Sequence, residues 1–274
     1  MTTYPAPAKL NLFLHVVGRR DDGYHLLQTV FRFVDYCDSL SFEISSSPEI
    51  ILSNPIPGIA PETDLCVRAA SLLQRASGCR LGVKIGLEKC IPMGGGLGGG
   101  SSDAATTLIV LNKLWEINYS REKLQQLAIR LGADVPVFIF GESAFAEGIG
   151  EKLFPVSLDP AWYLVLVPPA SIPTARIFAA EELTRNTNPV KIPDFSIEAG
   201  CNDLEPVACS LYPAVGEHLS WLGKHGKARM TGSGSCVFAE FSSEAGARQA
   251  LNELPDSMRG FLARGLDRHP LRDF

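Results

Sequence analysis

The stretch PMGGGLGGGSS at residues 92–102 decides the fold, because six of the seven positions 94–100 are glycine. It follows a strand-like segment over residues 81–87 and precedes apolar side chains that recur at helical spacing. Ser101 or Ser102 is therefore predicted to cap a helix. A glycine run between a strand and a capped amphipathic helix is typical of a structural loop, because flexible linkers rarely occupy that place.

The loop is suited to binding a polyphosphate. Glycines let backbone N–H groups come close to an anion, and the free N–H groups and dipole at a helix start favour negative charge. The pattern G-x-G-x-x-G at Gly94, Gly96 and Gly99 is weak, because such a dense run nearly guarantees it. A second helix predicted after Ser120 replaces the strand that a dinucleotide fold requires. A Walker A loop needs a lysine after its last glycine, and Gly100 is followed by serine.

The composition narrows the class of protein. The chain has 274 residues, of which 46% are apolar, so we expect a folded protein with one large domain or two closely joined ones. A formal net charge of −5 argues against nucleic acid or a membrane surface as partner. Seven scattered cysteines without a C-x-x-C pair indicate reduced thiols. With neither a leader-like N-terminus nor an apolar run of bilayer length, the sequence predicts a soluble, cytoplasmic protein.

Periodicity predicts strands first and mixed helices and strands afterwards, which favours an α+β fold over an alternating parallel one. Residues 9–17 alternate, so Lys9 and Asn11 are expected on the same strand face. The polar stretch 184–196 is predicted to connect two lobes. The predicted strands are 9–17, 28–34, 39–44, 49–52, 81–87, 143–147, 162–167, 227–230 and 235–241. The predicted helices begin near Thr63 or Asp64, at Ser101 or Ser102 and after Ser120, and lie near 174–183, 203–211, 214–223 and 243–252.

Five motifs together resemble the GHMP kinase superfamily of small-molecule kinases. They are PAKLNLFL at 7–14, DGYHLLQTVF at 22–31, PMGGGLGGGSSDAA at 92–105, LGADVPVF at 131–138 and TGSGSCVFAEF at 231–241. They occur in the expected order from one end of the chain to the other, so the resemblance covers essentially the whole protein. PAKLNL followed by DGYH is typical of the branch that phosphorylates a cytidyl diphosphate sugar alcohol in isoprenoid biosynthesis.

The resemblance implies a two-lobed α+β protein. A ribosomal-protein-S5-like ATP-binding lobe is expected over residues 1–155 and a ferredoxin-like substrate lobe over 156–274, with both substrates meeting between them. ATP and Mg²⁺ are the implied cofactors, although the sequence shows no carboxylate pair dedicated to a metal. The implied partner is a small molecule, with no nucleic acid and no membrane, and the protein is expected to be a monomer or a homodimer.

The resemblance also implies roles for individual residues. Asp134 corresponds to the catalytic base and Lys9 to its charged partner. The residues expected to hold the ATP phosphates are Pro92, Met93, Gly94, Gly95, Gly96, Leu97, Gly98, Gly99, Gly100, Ser101 and Ser102. The residues expected to bind the cytidyl substrate are Asn11, Tyr24, His25 and Phe178, with the cytosine between Tyr24 and Phe178. The glycine-rich turn 231–235 is expected to lie against the phosphate region.

The residues alone leave plainer interpretations open. Asp134 would equally serve to cap the next element, and Lys9 would equally be a solvated lysine at the start of a strand. Phe178, at helical spacing, would equally belong to the core. The alternative functions are another GHMP kinase acting on mevalonate, homoserine or a sugar, which has no reason to carry DGYH, and a non-catalytic nucleotide or RNA binder, against which the net charge of −5 argues.

Overall fold

The computed structural model describes residues 2–191 and 200–274, which form ten strands and eight α-helices. The strands are β1 (Thr3–Arg19), β2 (His25–Ser45), β3 (Ile50–Leu52), β4 (Gly82–Glu88), β5 (Ala144–Glu147), β6 (Lys152–Pro155), β7 (Trp162–Leu166), β8 (Ala228–Met230), β9 (Val237–Phe241) and β10 (Gly260–Leu266). The helices are α1 (Leu65–Ser77), α2 (Gly99–Leu114), α3 (Arg121–Ala128), α4 (Val135–Phe140), α5 (Thr174–Ala179), α6 (Glu205–Leu211), α7 (Pro213–Leu222) and α8 (Glu244–Asn252). This mixture of antiparallel strands and helices confirms the α+β prediction.

A long antiparallel hairpin, β1 with β2, runs through the middle of the molecule. The predicted turn at 21–23 joins its strands, and the segments predicted separately at 28–34 and 39–44 are parts of the single strand β2. Lys9 and Asn11 pair with neighbouring positions of β2 and are 2% and 3% exposed, while Leu10 on the other face is fully buried. The alternation in β1 therefore separates two buried faces, of which one lines the site described below.

The N-terminal half packs helices against this hairpin and its neighbours. β4 pairs with β2 and with the short strand β3, and β5 pairs with β2 and β6. Helix α2 contacts α1, α4 and β1, and ten of its residues are buried. Because α2 begins at Gly99, inside the glycine run, its burial fixes the position of that loop.

The C-terminal half is a second antiparallel arrangement in which β7 lies between β10 and β9, and β9 also pairs with β8. Gly265 and Leu266, at the end of β10, pair with β2. Beyond β10, Leu271 lies in the core of the N-terminal half, where its carbonyl accepts a hydrogen bond from Arg121 Nη2 at 3.0 Å. The chain end therefore crosses the predicted boundary at 155/156, and that boundary stays a prediction.

The sequence prediction was wrong about the start of α2. Gly98, with φ 74° and ψ 16°, is the N-cap, so the helix begins at Gly99 and Ser102 lies in its first turn. A serine cap was expected because serine hydroxyls commonly satisfy free N–H groups. Here the left-handed conformation of Gly98 turns the chain earlier, and no side chain caps the helix.

Other elements differ in extent. The prediction missed α4, because its sequence VPVFIF is apolar all round and carries no helical period, and it also missed β6 and β10. The helix predicted at 174–183 ends at Ala179. Of the predicted connection 184–196, residues 192–196 lie outside the described residues. The first part of this connection lies beside the β1–β2 hairpin, since Thr187 N donates to Val16 O at 3.1 Å.

Across residues 2–191 and 200–274, none of the helices combines the length and the apolar character that crossing a bilayer demands.

Candidate active site

A cavity of about 1010 Å³ brings the predicted site residues together. Its walls come from β1, the turn between β1 and β2, the glycine loop, the segment before α1 and the beginning of α5. The predicted residues that line it are Lys9, Asn11, Tyr24, His25, Pro92, Met93, Gly94, Gly95, Gly96, Leu97, Gly98, Gly99, Gly100, Ser101, Asp134 and Phe178. Ser102 is the one predicted residue that does not line it, because its side chain is fully buried beneath the helix start.

Lys9 is a buried cation with fixed partners. Its ammonium donates to Asn11 Oδ1 at 2.5 Å and to Gly96 O at 2.9 Å, and it lies 3.2 Å from Asp134 Oδ2. The backbone N–H of Lys9 donates to Leu97 O at 2.9 Å, which joins β1 to the glycine loop. The plainer interpretation of Lys9, a solvated lysine at a strand start, is therefore wrong. Its three N–H donors match two neutral acceptors and one carboxylate.

Asp134 occupies the N-cap position of α4, yet its side chain makes no capping hydrogen bond. The alternative in which Asp134 merely caps the next element therefore does not hold. Pro136 follows within the first turn of α4, where its missing N–H costs nothing. The carboxylate of Asp134 is 37% exposed and lines the cavity. One of its oxygens faces Lys9, and the carboxylate is open to a ligand.

Asn11 orients Lys9. Its Oδ1 accepts from the Lys9 ammonium, its Nδ2 donates to Thr29 Oγ1 at 2.9 Å, and its backbone N–H donates to Thr231 Oγ1 at 2.9 Å. Thr29 in turn donates to Phe13 O at 2.5 Å. The prediction placed Asn11 next to Lys9 correctly, and the threonines that hold it were missed, because they come from positions far along the chain.

The glycine loop places three backbone N–H groups at the cavity, ahead of the hydrogen-bond ladder of α2. The first intrahelical bond of α2 runs from Ser102 N to Gly98 O at 2.9 Å, so the N–H groups of Gly99, Gly100 and Ser101 precede the helix ladder. All three residues line the cavity. A phosphate held there would meet these N–H groups together with the positive end of the helix dipole.

The turn 231–235 supports the loop from the opposite side. A Cβ built on Gly96 would lie 2.2 Å from Thr231 O, so only glycine allows the two segments to pack this closely. Cys236 N donates to Gly95 O at 3.1 Å across the same contact. The resemblance-based expectation that this turn lies against the phosphate region agrees with these contacts.

A charged cluster beside the loop was missed by the sequence analysis. Lys89 lines the cavity and forms ion pairs with Asp38 and, at 2.8 Å, with Asp103. Burial raises the pKa of Asp103, and the neighbouring Asp38 carboxylate adds to that effect against the opposing charge of Lys89. Burial works to lower the pKa of Lys89, but the two carboxylates outweigh it and raise that pKa above its ordinary value. Lys89 therefore keeps its charge, and its ammonium lies beside the glycine loop, 3.2 Å from a Cβ built on Gly99.

The aromatic residues line the cavity from the turn between β1 and β2, the start of β2 and helix α5. The rings of His25 and Phe178 are stacked, with centroids 4.8 Å apart and an interplanar angle of 27°, and Tyr24 is 59% exposed. Burial lowers the pKa of His25, and the charges of Arg185 and Arg19 lower it further. The imidazole is therefore neutral at physiological pH. The expected sandwich of cytosine between Tyr24 and Phe178 stays a prediction.

Comparison with known proteins agrees with this arrangement. Residues 64–142 match the family described as the GHMP kinases N terminal domain, and residues 185–260 match the GHMP kinases C terminal family. A 4-diphosphocytidyl-2-C-methyl-D-erythritol kinase of Nitrosospira multiformis is 64% identical over 273 residues, which cover 98% of this chain and 93% of that protein. The chain belongs to the 4-diphosphocytidyl-2-C-methyl-D-erythritol kinase family.

Solved structures extend the comparison. A crystal structure of 4-(cytidine 5'-diphospho)-2C-methyl-D-erythritol kinase superposes with a TM-score of 0.84 at 36% identity, covering 96% of this chain and 99% of that one. The mevalonate kinase of Methanococcus jannaschii has a TM-score of 0.69 at 17% identity, with coverage of 97% and 98%, and shares the fold alone. This member of the 4-diphosphocytidyl-2-C-methyl-D-erythritol kinase family is thus a small-molecule kinase, and the alternative of a non-catalytic nucleotide or RNA binder is set aside.

Proposed function

We propose that the protein transfers the γ-phosphoryl group of ATP to the 2-hydroxyl of 4-diphosphocytidyl-2-C-methyl-D-erythritol, in the non-mevalonate route to isopentenyl diphosphate. The observation that carries the proposal is the position of the Lys9–Asp134 pair in one cavity with the glycine loop and the aromatic residues of the DGYH motif. An anion-binding loop and a base-binding surface thus share one reaction centre. Relatives named for this substrate over the full chain length support the same assignment.

The glycine loop and its surroundings suit ATP. Backbone N–H groups from Gly99 to Ser101 and the ammonium of Lys89 offer donors to a polyphosphate. The apolar side chains of Ile56, Ile59 and Leu65 line the cavity as well, and a Cβ built on Gly100 would lie 3.2 Å from Leu65 Cδ1. A flat apolar base beside this helix start would keep the nucleotide phosphates at the N–H groups.

Mg²⁺ is proposed to arrive with the ATP phosphates. Ser102 Oγ is a buried hydroxyl without a hydrogen-bond partner in the described chain, and a hydroxyl oxygen is a donor that Mg²⁺ accepts. Among residues 2–191 and 200–274, no group of three His, Cys, Asp or Glu side chains is arranged to hold a metal ion. The ion would therefore be held mainly by the phosphates, and Ser102 would reach it only if its buried hydroxyl turned toward the cavity. When bound, Mg²⁺ neutralises charge on the transferring phosphoryl group.

Asp134 is proposed to orient the substrate hydroxyl and to take its proton. Lys9 holds one carboxylate oxygen, Oδ2, at 3.2 Å, which leaves Oδ1 for the hydroxyl. As the hydroxyl oxygen bonds to the γ-phosphorus, the bond between that phosphorus and the bridging oxygen of ADP breaks, and the proton passes to Asp134. Positioning and charge stabilisation supply most of the rate in such a transfer, and the buried charge of Lys9 contributes to both.

The aromatic part of the cavity is proposed to bind the cytidyl group. Phe178 and Tyr24 offer flat surfaces for stacking on a base, and His25 offers a polar ring edge. A cytidine held there and a phosphate held at the glycine loop would bracket Asp134, so the sugar alcohol between them would reach the carboxylate. Asn11 is proposed to act on the substrate side by fixing Lys9.

The experiment that tests the proposal is ADP release from ATP with four alcohols: 4-diphosphocytidyl-2-C-methyl-D-erythritol, mevalonate, homoserine and galactose. We expect turnover with the cytidyl alcohol alone. Turnover only with one of the other three would replace the proposed function by that of another GHMP kinase. We further propose that the enzyme acts in the cytoplasm, as a monomer or homodimer and without nucleic acid, which light scattering and fractionation test.

A further inference from the structure

Arg185 lies outside the predicted site and contacts one of its residues, His25. It lies in the segment after α5, is half-buried, and its Nε donates to His25 Nε2 at 3.2 Å. Its other nitrogens donate to backbone carbonyls around the end of α5, which include Ala180 O at 2.5 Å and Phe178 O at 3.2 Å from Nη2, and Leu183 O at 3.0 Å from Nη1. One guanidinium thus joins the imidazole to the helix end that carries Phe178.

This contact fixes the hydrogen on the His25 ring. A guanidinium is a donor only and stays charged, so the nitrogen that faces it must be an acceptor. His25 Nε2 is therefore unprotonated, and the hydrogen of the neutral ring lies on Nδ1. The charged groups that act on this ring are Arg185 and Arg19, and both oppose a second proton. Free histidine in water favours the other neutral tautomer, with its hydrogen on Nε2.

We infer that Arg185 is a positioning residue for the base-binding part of the site. Arg185 holds His25 as the Nδ1–H tautomer and keeps its ring stacked on Phe178. This inference rests on the proposed cytidyl substrate. Cytosine presents its O2 and N3 atoms as acceptors, whereas uracil carries a hydrogen on N3. An imidazole whose available nitrogen is a donor therefore matches the edge of cytosine, and the other tautomer would present a lone pair to those acceptors.

The geometry separates this role from ordinary helix capping. Carbonyls at the end of α5 would be satisfied by any cation or by water, because α5 is short and partly exposed. The hydrogen bond from Arg185 Nε to His25 is additional to these carbonyl contacts. It joins residues 160 positions apart, and its acceptor lines the cavity. Arg185 itself does not line the cavity, so it acts through His25 and Phe178.

Steady-state kinetics test the inference first. Arg185→Met should raise KM for the cytidyl substrate by roughly tenfold or more, because a charged hydrogen bond is lost, while KM for ATP changes less than about twofold. In a His25→Ala background the same change should add less than about threefold, because residues that act through one another are not additive. Additive effects, or an unchanged substrate KM, would overturn the inference. Arg176→Met is the matched control, since Arg176 lies on α5, is exposed and bonds to Tyr212 Oη.

Nuclear magnetic resonance tests the tautomer without any substrate. Long-range proton–nitrogen spectra of the ¹⁵N-histidine enzyme, with His25 assigned by a His25→Gln variant, should show a bare Nε2 and a protonated Nδ1 in the wild type. Arg185→Lys should keep that tautomer, because an ammonium is also a donor, and Arg185→Met should lose it. A protonated Nε2 in the wild type overturns the inference even where a variant fails to fold. Failure of the proposed function looks different: no cytidyl alcohol is phosphorylated, whichever tautomer is found.

Discussion

Lys9 and Asp134 form an ion pair of 3.2 Å in which the ammonium is 2% exposed and the carboxylate 37% exposed. The pair is thus asymmetric: the cation is fixed inside the protein, and the anion faces the cavity. Lys9 is held by Asn11 and by the backbone of the glycine loop, and it contacts Asp134. The position of the Asp134 carboxylate therefore depends on the position of the loop. A movement of the loop would therefore move the Lys9–Asp134 pair.

Replacing Asp134 by Asn should lower kcat by about 10²- to 10⁴-fold, because the amide keeps the shape of the side chain and loses the acceptor for the hydroxyl proton. ATP should still bind with nearly the wild-type Kd, since the phosphate donors are unchanged. Rapid-quench kinetics and ATP titration measure the two effects.

Asp256→Asn, at an exposed position outside the cavity, is the control for that experiment. If Asp134→Asn turns over nearly as fast as the control, Asp134 does not take part in the phosphoryl transfer.

Replacing Gly98 by Ala should damage both stability and turnover. Gly98 has φ +74°, and a Cβ there would lie 3.0 Å from Lys9 Cε and from Phe138 Cζ. The left-handed conformation alone should cost about 1–2 kcal/mol of unfolding free energy, and displacement of Lys9 should lower kcat as well. Urea denaturation and steady-state kinetics measure these separately.

Gly78→Ala is the matched control, because Gly78 has φ +71° and no atom within 4 Å of the added Cβ. It should lose similar stability and keep the wild-type kcat. If both variants reduce kcat equally, the contact between the loop and Lys9 is not what sets turnover.

Replacing Phe178 by Leu should raise KM for the cytidyl substrate by about three- to tenfold, because a stacking surface worth about 0.5–1.5 kcal/mol is removed. KM for ATP should stay within about twofold, because Phe178 stacks on His25, while the proposed ATP donors are the backbone N–H groups of Gly99 to Ser101 and the ammonium of Lys89. Phe154→Leu, on the exposed strand β6, is the control. An equal rise in both KM values would contradict the assignment of this surface to the base.

Burial, helped by the charge of Arg121, lowers the pKa of His269 to about 3. The unfolded chain therefore binds a proton below a pH of about 6.5 that the folded chain does not, and stability is lost as pH falls through that range. His269 should account for about 2 kcal/mol of the stability lost between pH 8 and pH 5, because pH 5 lies about 1.5 units below the pKa of the residue in the unfolded chain. Urea denaturation at the two pH values measures it.

His269→Asn is the variant for this test, because its amide oxygen can replace Nδ1 as acceptor for Leu271 N, which donates at 3.0 Å. It should lose less stability than the wild type between pH 8 and pH 5. An equal loss in both proteins would place the acid sensitivity elsewhere. Circular dichroism at pH 8 checks that the variant is folded.

The sequence predicted the parts of the site that lie within short motifs. The glycine run, the alternation that puts Lys9 beside Asn11, and the α+β order are local features, because each depends on residues a few positions apart. The start of α2 was misplaced because the sequence from Gly98 to Ser102 is compatible both with a serine cap and with a left-handed glycine turn. Only the backbone conformation of Gly98 separates them.

The parts that were missed depend on distant positions. Asp38 meets Lys89 across 51 positions, and Arg185 meets His25 across 160, so no local period links either pair. Thr231 supports Asn11 from 220 positions away. A lysine just before the glycine run was a signal that could have drawn attention to Lys89, since phosphate sites commonly use such a cation.

Analysis of the reaction product tests the proposed phosphoryl transfer itself. The purified enzyme is incubated with ATP and 4-diphosphocytidyl-2-C-methyl-D-erythritol, and the product is examined by ³¹P and ¹³C nuclear magnetic resonance. We predict one new phosphomonoester on the 2-hydroxyl, an intact cytidine diphosphate linkage and one ADP per product. ATP consumption without a phosphorylated alcohol, or a phosphate on a different hydroxyl, would rule out the proposed transfer to the 2-hydroxyl.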